Sequence, residues 1–282
     1  MSALGRAVAS EFAKVLSLRA WWLLGLVLLL YIAVTAAGLA FFLSDLGAQL
    51  GAAAGPGAPV LDAVTTANLV YSSVTAVGLV IPLLFGALLA TTEYRHRTLT
   101  PTVLAQPRRG VVLAAKAVVA LVMGALYGVI GLAGSVGAGA PTLLAVGEQA
   151  ALDEPDVLTV LARTLLATAL WSLLGLGLGA LLTSQIAAIV IVLAFTQFVE
   201  PILRLIAGIS EPTAAIARFL PGAATDALVG AGILSSLGAI DPSVPNATAD
   251  ALLWWQGGLV LAALAVVPVV VAALTTARRD VE

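Results

Sequence analysis

Residues 164–199 carry no charge and read TLLATALWSLLGLGLGALLTSQIAAIVIVLAFTQFV. A single helix of this length would extend about 54 Å, whereas the hydrocarbon core of a bilayer is about 30 Å thick. The polar sequence Thr183-Ser184-Gln185 divides the stretch into two apolar halves, and each half is long enough to cross the core. The stretch therefore predicts two membrane spans rather than one.

Four further uncharged stretches lie outside this region, and each can contain one helix of about 20 residues. They comprise 25, 30, 31 and 27 residues and cover 20–44, 63–92, 117–147 and 251–277. Only 10% of the residues are charged and 61% are hydrophobic, which excludes a soluble globular chain. We therefore expect an all-α integral membrane protein with one transmembrane domain, residues 1–282, and six spans: 20–43, 69–92, 112–135, 158–182, 186–206 and 252–276.

The distribution of lysine and arginine predicts how the spans are oriented. In the six-span arrangement ten of the 13 basic residues lie on one side, and only Arg163, Arg204 and Arg218 lie on the other. The side with more Lys and Arg is normally the cytoplasmic one. Both termini are therefore expected in the cytoplasm, and the composition suggests a bacterial cytoplasmic (inner) membrane.

Few residues are suited to catalysis or cofactor binding. The chain has no cysteine and one histidine, His96, which excludes thiolate chemistry and the paired histidines of an intramembrane metal hydrolase. Alanine precedes both lysines, Lys14 and Lys116, so no Gly-Lys-Ser/Thr phosphate-binding loop is present. We expect no enzyme activity and no bound cofactor or metal, and the net charge of −2 gives no reason to expect nucleic acid as a partner.

Residues 1–19 are expected to form an amphipathic helix at the membrane surface. Apolar residues recur there at helical spacing, at Leu4, Val8, Phe12, Val15 and Leu16. The uncharged run that follows is longer than the apolar region of a cleavable signal peptide, so we do not expect cleavage. The alternative is a solvated tail.

The cytoplasmic segment 93–111 is short and strongly basic. Thr100-Pro101 can begin a short helix and Gln106-Pro107 would end it, because the residue before proline is forced out of the helical conformation. Such a helix could contact lipid head groups and a soluble partner. The alternative is a basic loop that has no partner and only orients the spans.

The same segment resembles the signature of type-2 ATP-binding-cassette (ABC) exporter permeases. In that family a glutamate ends the second span, and a basic run, Gly-Thr, Pro-x-Arg and a lysine follow. Glu93, Thr98, Leu99, Pro107, Arg109 and Lys116 match this order, although Arg97 replaces the usual glycine. Glu11, Lys14, Arg19 and Trp22, ahead of the first span, are also similar to the family, as is the six-span arrangement.

The resemblance implies a transmembrane subunit that pairs with a second permease, identical or similar, and with two cytosolic ABC ATPase subunits that bind ATP and Mg. The cargo would be an amphiphilic or hydrophobic drug, lipid or peptide, exported across the membrane. The residues implied in docking the ATPase are Glu93, Arg95, Arg97, Thr98, Leu99, Pro107, Arg108, Arg109 and Lys116.

Glu200 and Arg204 are four residues apart, so they can pair on one helix face, and Pro201 predicts a kink beside them. An ionisable pair at membrane depth is a candidate gate or path lining, and the alternative is a pair that marks the outer interface. Segment 207–251 contains short apolar stretches interrupted by Pro221, and it resembles the outer re-entrant segment of the family, with Phe219 and Pro221 at the exit. An alternative function is an ATP-independent, ion-coupled carrier that uses Glu200 and Arg204.

Overall fold

The computed structural model describes residues 2–54, 62–95, 108–182, 184–207, 211–232 and 252–276. These residues form helices and their connections, with 88% of them helical and no strand in the described ranges. The helices are α1 (Ala3–Ser17), α2 (Ala20–Ala54), α3 (Ala63–Tyr71), α4 (Ser73–Val77), α5 (Val80–Arg95), α6 (Arg109–Ala145), α7 (Pro155–Leu182), α8 (Gln185–Ala194), α9 (Glu200–Ala207), α10 (Glu211–Ala217), α11 (Pro221–Val229) and α12 (Trp254–Thr276).

Six helical segments of the described chain are long and apolar enough to cross a membrane, which confirms the predicted number. They are Ala20–Gly47, Ala63–Glu93, Gly110–Ala145, Pro155–Leu182, Gln185–Arg204 and Trp254–Thr275, and we call them spans 1 to 6. The division of the long uncharged stretch is also confirmed, because α7 ends at Leu182 and α8 begins at Gln185. Ser184 begins α8 by accepting a hydrogen bond from the Ala187 amide at 3.4 Å.

Spans 2 and 3 are longer than the spans 69–92 and 112–135 that the sequence predicted. Span 2 begins six residues early because Asp62 caps α3, accepting from the Thr65 amide at 3.2 Å, and it is interrupted near Ser72 and Gly78. Span 3 continues past residue 135 to Ala145, although Gly137, Gly139 and Pro141 lie in this part. Gly139 allows close packing there, since a Cβ on it would lie 2.5 Å from Val70 Cγ1.

Span 4 is the centre of the bundle. Its α7 packs against spans 2, 3 and 6, and its residues Trp171, Leu173 and Leu176 belong to the largest buried apolar cluster. The glycines of span 4 let the neighbouring helices approach closely. A Cβ on Gly179 would lie 2.8 Å from Ala87 Cα of span 2, and a Cβ on Gly177 would lie 2.8 Å from the Val269 nitrogen of span 6.

The direction of each span defines two ends of the bundle. We call the end where spans 1 and 3 begin the basic end, because α1, Glu93 and Lys116 meet there. Spans 4 and 6 begin at the opposite end, which we call the far end, where the Arg163 guanidinium lies 4.5 Å from the centre of the Trp254 ring. The predicted helix in residues 1–19 is confirmed as α1, with Val15 buried and Leu4 and Leu16 exposed.

We expect Gly179→Ala to destabilise the bundle, because its Cβ would lie 2.5 Å from the Ala87 carbonyl oxygen, a backbone atom that cannot turn away. Overpacking of this kind costs about 1–3 kcal/mol. Gly137→Ala is the matched control, since a Cβ there would meet nothing within 4 Å. Thermal unfolding in detergent measures both, and a Gly179→Ala variant as stable as Gly137→Ala would contradict the packing.

Candidate functional site

Four charged side chains form a closed ring at the basic end. Lys14 Nζ lies 2.6 Å from Glu11 Oε1 and 2.9 Å from Glu93 Oε1. Lys116 Nζ lies 2.7 Å from Glu11 Oε2 and 3.1 Å from Glu93 Oε1. Each lysine thus contacts both carboxylates, and each carboxylate contacts both lysines, so the formal charges cancel. We refer to these residues as the charge ring.

Three members of the charge ring are removed from solvent. Glu11 is 3% exposed, Lys116 is 6% exposed and Glu93 is 9% exposed. Lys116 has an additional partner, because its Nζ donates to the Leu89 carbonyl oxygen at 3.3 Å. A buried charge costs several kcal/mol of free energy unless it is paired and hydrogen-bonded, so these three residues depend on one another for their position.

Lys14 is the half-exposed member, with a side chain that is 42% exposed. Burial lowers the pKa of Lys14, but hydrogen bonds and charge interactions with Glu11 and Glu93 more than compensate, and the net pKa is raised. A lysine whose pKa is raised on folding contributes stability that is complete below its unfolded pKa and is lost as the pH rises through the folded value. The contribution of Lys14 is therefore fully present at neutral pH.

The charge ring joins three separate parts of the chain. Glu11 and Lys14 lie on α1, Glu93 lies near the end of α5 and Lys116 is the eighth residue of α6. Glu93 is the first residue of the basic segment and Lys116 follows its last residue, so the ring brings both ends of that segment to one place and connects them to α1. Sequence reasoning included Glu93 and Lys116 among the docking residues but did not predict that α1 supplies their partners.

The other predicted docking residues are described only in part. Arg108 directly precedes α6 and is exposed, whereas Arg95 and Arg109 are the terminal residues of α5 and α6. Arg97, Thr98, Leu99, Pro107 and the predicted short helix lie outside the described residues. One signal in the sequence could have indicated the ring. Each of the two lysines belongs to a part of the chain that resembles the family and that also contains a glutamate, Glu11 with Lys14 and Glu93 with Lys116.

We expect Lys116→Met to lower the free energy of unfolding by about 3–5 kcal/mol, because it leaves buried carboxylates short of a partner. Lys14→Met is the matched control, because it removes the other lysine with the same two partners. Its position is half-exposed, so water can replace the lost ammonium group, and we expect a cost of about 1 kcal/mol or less. Unfolding in detergent by heat or denaturant measures both. Equal losses in the two variants would contradict the burial argument.

A second group of charged residues lies near the far end, where span 5 meets α11. Arg204 forms an ion pair with Asp226 of α11, and Glu200 accepts a hydrogen bond from the Gly222 amide. Glu200 and Arg204 therefore face α11 together, as their spacing predicted, but the predicted ion pair between the two is replaced by partners on α11. Sequence reasoning missed this because Asp226 is 22 residues away from Arg204.

Glu200 caps the N-terminus of α11. Leu220 precedes this helix and provides no side-chain cap, so the first amides of α11 need another acceptor. The Glu200 carboxylate supplies it at Gly222, and negative charge is favourable at the N-terminus of a helix. Glu200 is only 5% exposed, and a Cβ on Gly222 would lie 3.0 Å from its carboxyl carbon, so glycine makes this approach possible.

Helix α11 also contacts the middle of span 4. Trp171 Nε1 donates to Thr225 Oγ1 at 2.8 Å, and both residues are buried. Trp171 is 16 residues from the first residue of α7, about 24 Å along the helix. Of the predicted exit residues, Pro221 is buried in the first turn of α11 and Phe219 is 47% exposed, with the Arg218 guanidinium 5.1 Å from its ring centre.

The predicted irregularity at Pro201 is a π-helical turn. Residues Phe195–Val199 form this turn between α8 and α9. Proline has no amide hydrogen to donate to the carbonyl four residues earlier, and its ring crowds that carbonyl, so a wider turn just before Pro201 relieves the conflict.

We expect Arg204→Met and Asp226→Asn to be coupled, because each leaves the other group unpaired. The double variant should lose less stability than the sum of the two single losses, with a coupling of about 0.5–3 kcal/mol. A cycle of Arg204→Met with Glu200→Gln is the comparison, since Glu200 bonds to a backbone amide, and its coupling should be smaller. Unfolding in detergent measures both cycles, and a larger coupling with Glu200 would contradict the assigned pairs.

Comparison with known proteins adds no family assignment, because no protein-family model matches the sequence and no curated protein matches it significantly. The fold defines the chain as a multi-pass α-helical membrane protein. Within the described residues, no group of three or more histidine or acidic side chains is placed to bind a metal ion.

Proposed function

We propose that this chain is the permease subunit of an ABC exporter. It would pair with a second permease and with two cytosolic ATPase subunits, and ATP hydrolysis on those subunits would drive export. The observation that carries the proposal is the charge ring, because it joins α1 to both sides of the segment that resembles the family signature. A partner that moves this segment would therefore also act on α1, span 2 and span 3.

The charge distribution supports a cytoplasmic position for the basic segment, residues 93–111. In the six-span arrangement, ten of the 13 lysine and arginine residues belong to the side of α1 and the basic segment. The positive-inside rule then puts both termini in the cytoplasm. The composition suggests that the membrane is a bacterial inner membrane. In this orientation α1 lies at the cytoplasmic membrane surface, with its exposed Leu4 and Leu16 available to lipid.

The contacts of α11 support a re-entrant segment at the outer face. The beginning of α11 meets Glu200 and its later residue Asp226 meets Arg204, so α11 runs parallel to α9, towards the far end. Helix α9 also runs towards that end, so the chain between them must turn back into the bundle, and α10 lies in that connection. Glu200, Arg204, Phe219 and Pro221 would then line or narrow the outer exit.

An apolar bundle of this composition suits an amphiphilic or hydrophobic cargo, such as a drug, a lipid or a peptide. The alternative of an ion-coupled carrier requires Glu200 or Arg204 to exchange partners during transport. Each of these side chains already bonds to α11, and this arrangement favours a structural role near the exit.

Purification of the tagged chain from its native membrane in mild detergent, followed by mass spectrometry and an ATPase assay, tests the proposal. We expect a stoichiometric cytosolic ATPase. Arg108→Glu combined with Arg109→Glu should reduce the recovered ATPase about tenfold or more, because it reverses two of the charges of the basic segment. These positions are preferable to Glu93, whose replacement would disturb the buried charge ring.

Arg19→Glu is the control, since Arg19 is an exposed arginine at the same end but outside the basic segment. We expect this variant to retain the full amount of bound ATPase. Recovery of the permease as a lone oligomer without nucleotide turnover would contradict the proposal and favour the ion-coupled carrier.

A further inference from the structure

Arg163 of span 4 is a half-buried positive charge that has no counter-ion in the described part of the chain. Among the described residues no carboxylate pairs with it, and no atom accepts a hydrogen bond from its guanidinium. Asp156, two turns earlier on the same helix, is exposed and does not reach it. A guanidinium that is partly removed from water loses hydration of a full charge and of five N–H donors, so a neighbouring anion is strongly favoured.

The guanidinium is held in place by two other elements. Its central carbon lies 4.5 Å from the centre of the ring of Trp254, the first residue of span 6. It also borders Gly230, which ends α11, since a Cβ on Gly230 would lie 3.5 Å from Arg163 Nη1. An aromatic face attracts a cation, and the C-terminal end of a helix is partially negative. Both contacts therefore position the guanidinium, but neither supplies an anion.

The position of Arg163 along span 4 determines its depth in the membrane. It lies 19 residues before Leu182, the last residue of the span, and the polar residues Ser184 and Gln185 follow there. At 1.5 Å per residue this separation is about 28 Å, close to the thickness of the hydrocarbon core. If the core ends near Leu182, Arg163 lies at its opposite border, where the lipid phosphates begin. Trp254 beside it agrees with this depth, because tryptophan is enriched at the membrane–water interface.

The surface of span 4 changes from polar to apolar on either side of Arg163. Thr159, one turn towards the far end, is exposed, and Leu166, one turn deeper in the bundle, is 50% exposed. Residues three or four positions apart share one face of a helix. A polar residue, a fixed cation and an apolar residue therefore follow one another in the order in which a phospholipid presents its head group, its phosphate and its acyl chain.

We propose that Arg163 and Trp254 form a binding site for the phosphate of a phospholipid in the leaflet at the far end. The planar guanidinium donates two hydrogen bonds to two phosphate oxygens, and the acyl chain lies along Leu166. The exposed leucine favours a lipid over free phosphate, which has no apolar part. The site requires neither a nucleotide nor an ATPase partner, so it is independent of the proposed exporter function.

A fluorophore placed at the site tests the proposal, because the chain contains no cysteine and a single one can be labelled. Leu166→Cys, labelled with bimane, is purified in dodecyl maltoside, a detergent without phosphate, and titrated with phosphatidylglycerol that carries a nitroxide on its acyl chain. We expect saturable quenching, whereas the matching nitroxide diacylglycerol, which lacks the phosphate, should quench without saturation. Equal quenching by the two lipids would overturn the proposal. Displacement of the phospholipid by inorganic phosphate would assign the site to the free ion and would also overturn it.

Variants in the labelled chain identify the residues responsible. Arg163→Gln should raise the half-saturating lipid concentration about tenfold or more, because a charge-assisted bidentate contact is lost, and Arg163→Lys should raise it less. Trp254→Leu removes the ring that positions the guanidinium and should raise it about threefold. Trp255→Leu is the matched control, since Trp255 is the next residue and similarly exposed, but its ring does not lie over Arg163, and we expect no change. Unchanged binding in Arg163→Gln, or equal effects of the two tryptophan variants, would contradict the site.

Discussion

The structure depends on the burial of charged and hydrogen-bonding side chains at both ends of the bundle, because a charge removed from water is stable only when it is paired. At the basic end two lysines and two glutamates satisfy one another in the charge ring. Near the far end the Glu200 carboxylate accepts a hydrogen bond from the Gly222 amide of α11, and the Thr225 hydroxyl accepts one from the Trp171 indole. In each place the bond connects segments that are distant in sequence. The polar residues therefore determine how helices of similar apolar composition are arranged.

Sequence reasoning predicted the features that depend on composition along the chain. The lengths of the uncharged stretches predicted six spans, and the polar sequence at Ser184 predicted the division between spans 4 and 5. Span boundaries were less accurate, because local contacts also determine them: Asp62 caps span 2 at an earlier residue, and span 3 continues through Gly139, which packs against Val70. Partners were the least predictable feature. Lys116 and Glu11 are separated by 105 residues, and nothing in local spacing specifies which acid a buried lysine will meet.

The six spans differ in how firmly they are attached. Spans 2, 3 and 4 approach one another at backbone distance through glycines such as Gly124 and Gly179, where neighbouring atoms leave no space for a side chain. Such interfaces resist deformation, because close-packed interiors have few alternative arrangements. Span 5 instead contacts the bundle along one stripe, and it is joined to α11 by an ion pair and a hydrogen bond at its far end. The bundle thus consists of a tightly packed group of spans and a more loosely attached span 5.

This difference bears on how force applied at the basic end would reach the far end. The charge ring connects α1 to Glu93 of span 2 and Lys116 of span 3, on either side of the basic segment, and both spans belong to the tightly packed group. A displacement there would move span 4 with them, and span 4 carries Trp171, the partner of Thr225 on α11. Span 5 contacts the same α11 through Glu200 and Arg204. Helix α11 therefore lies between the tightly packed group of spans and the more loosely attached span 5. Relative motion of the two would then act on α11, the helix that the proposed function assigns to the outer exit.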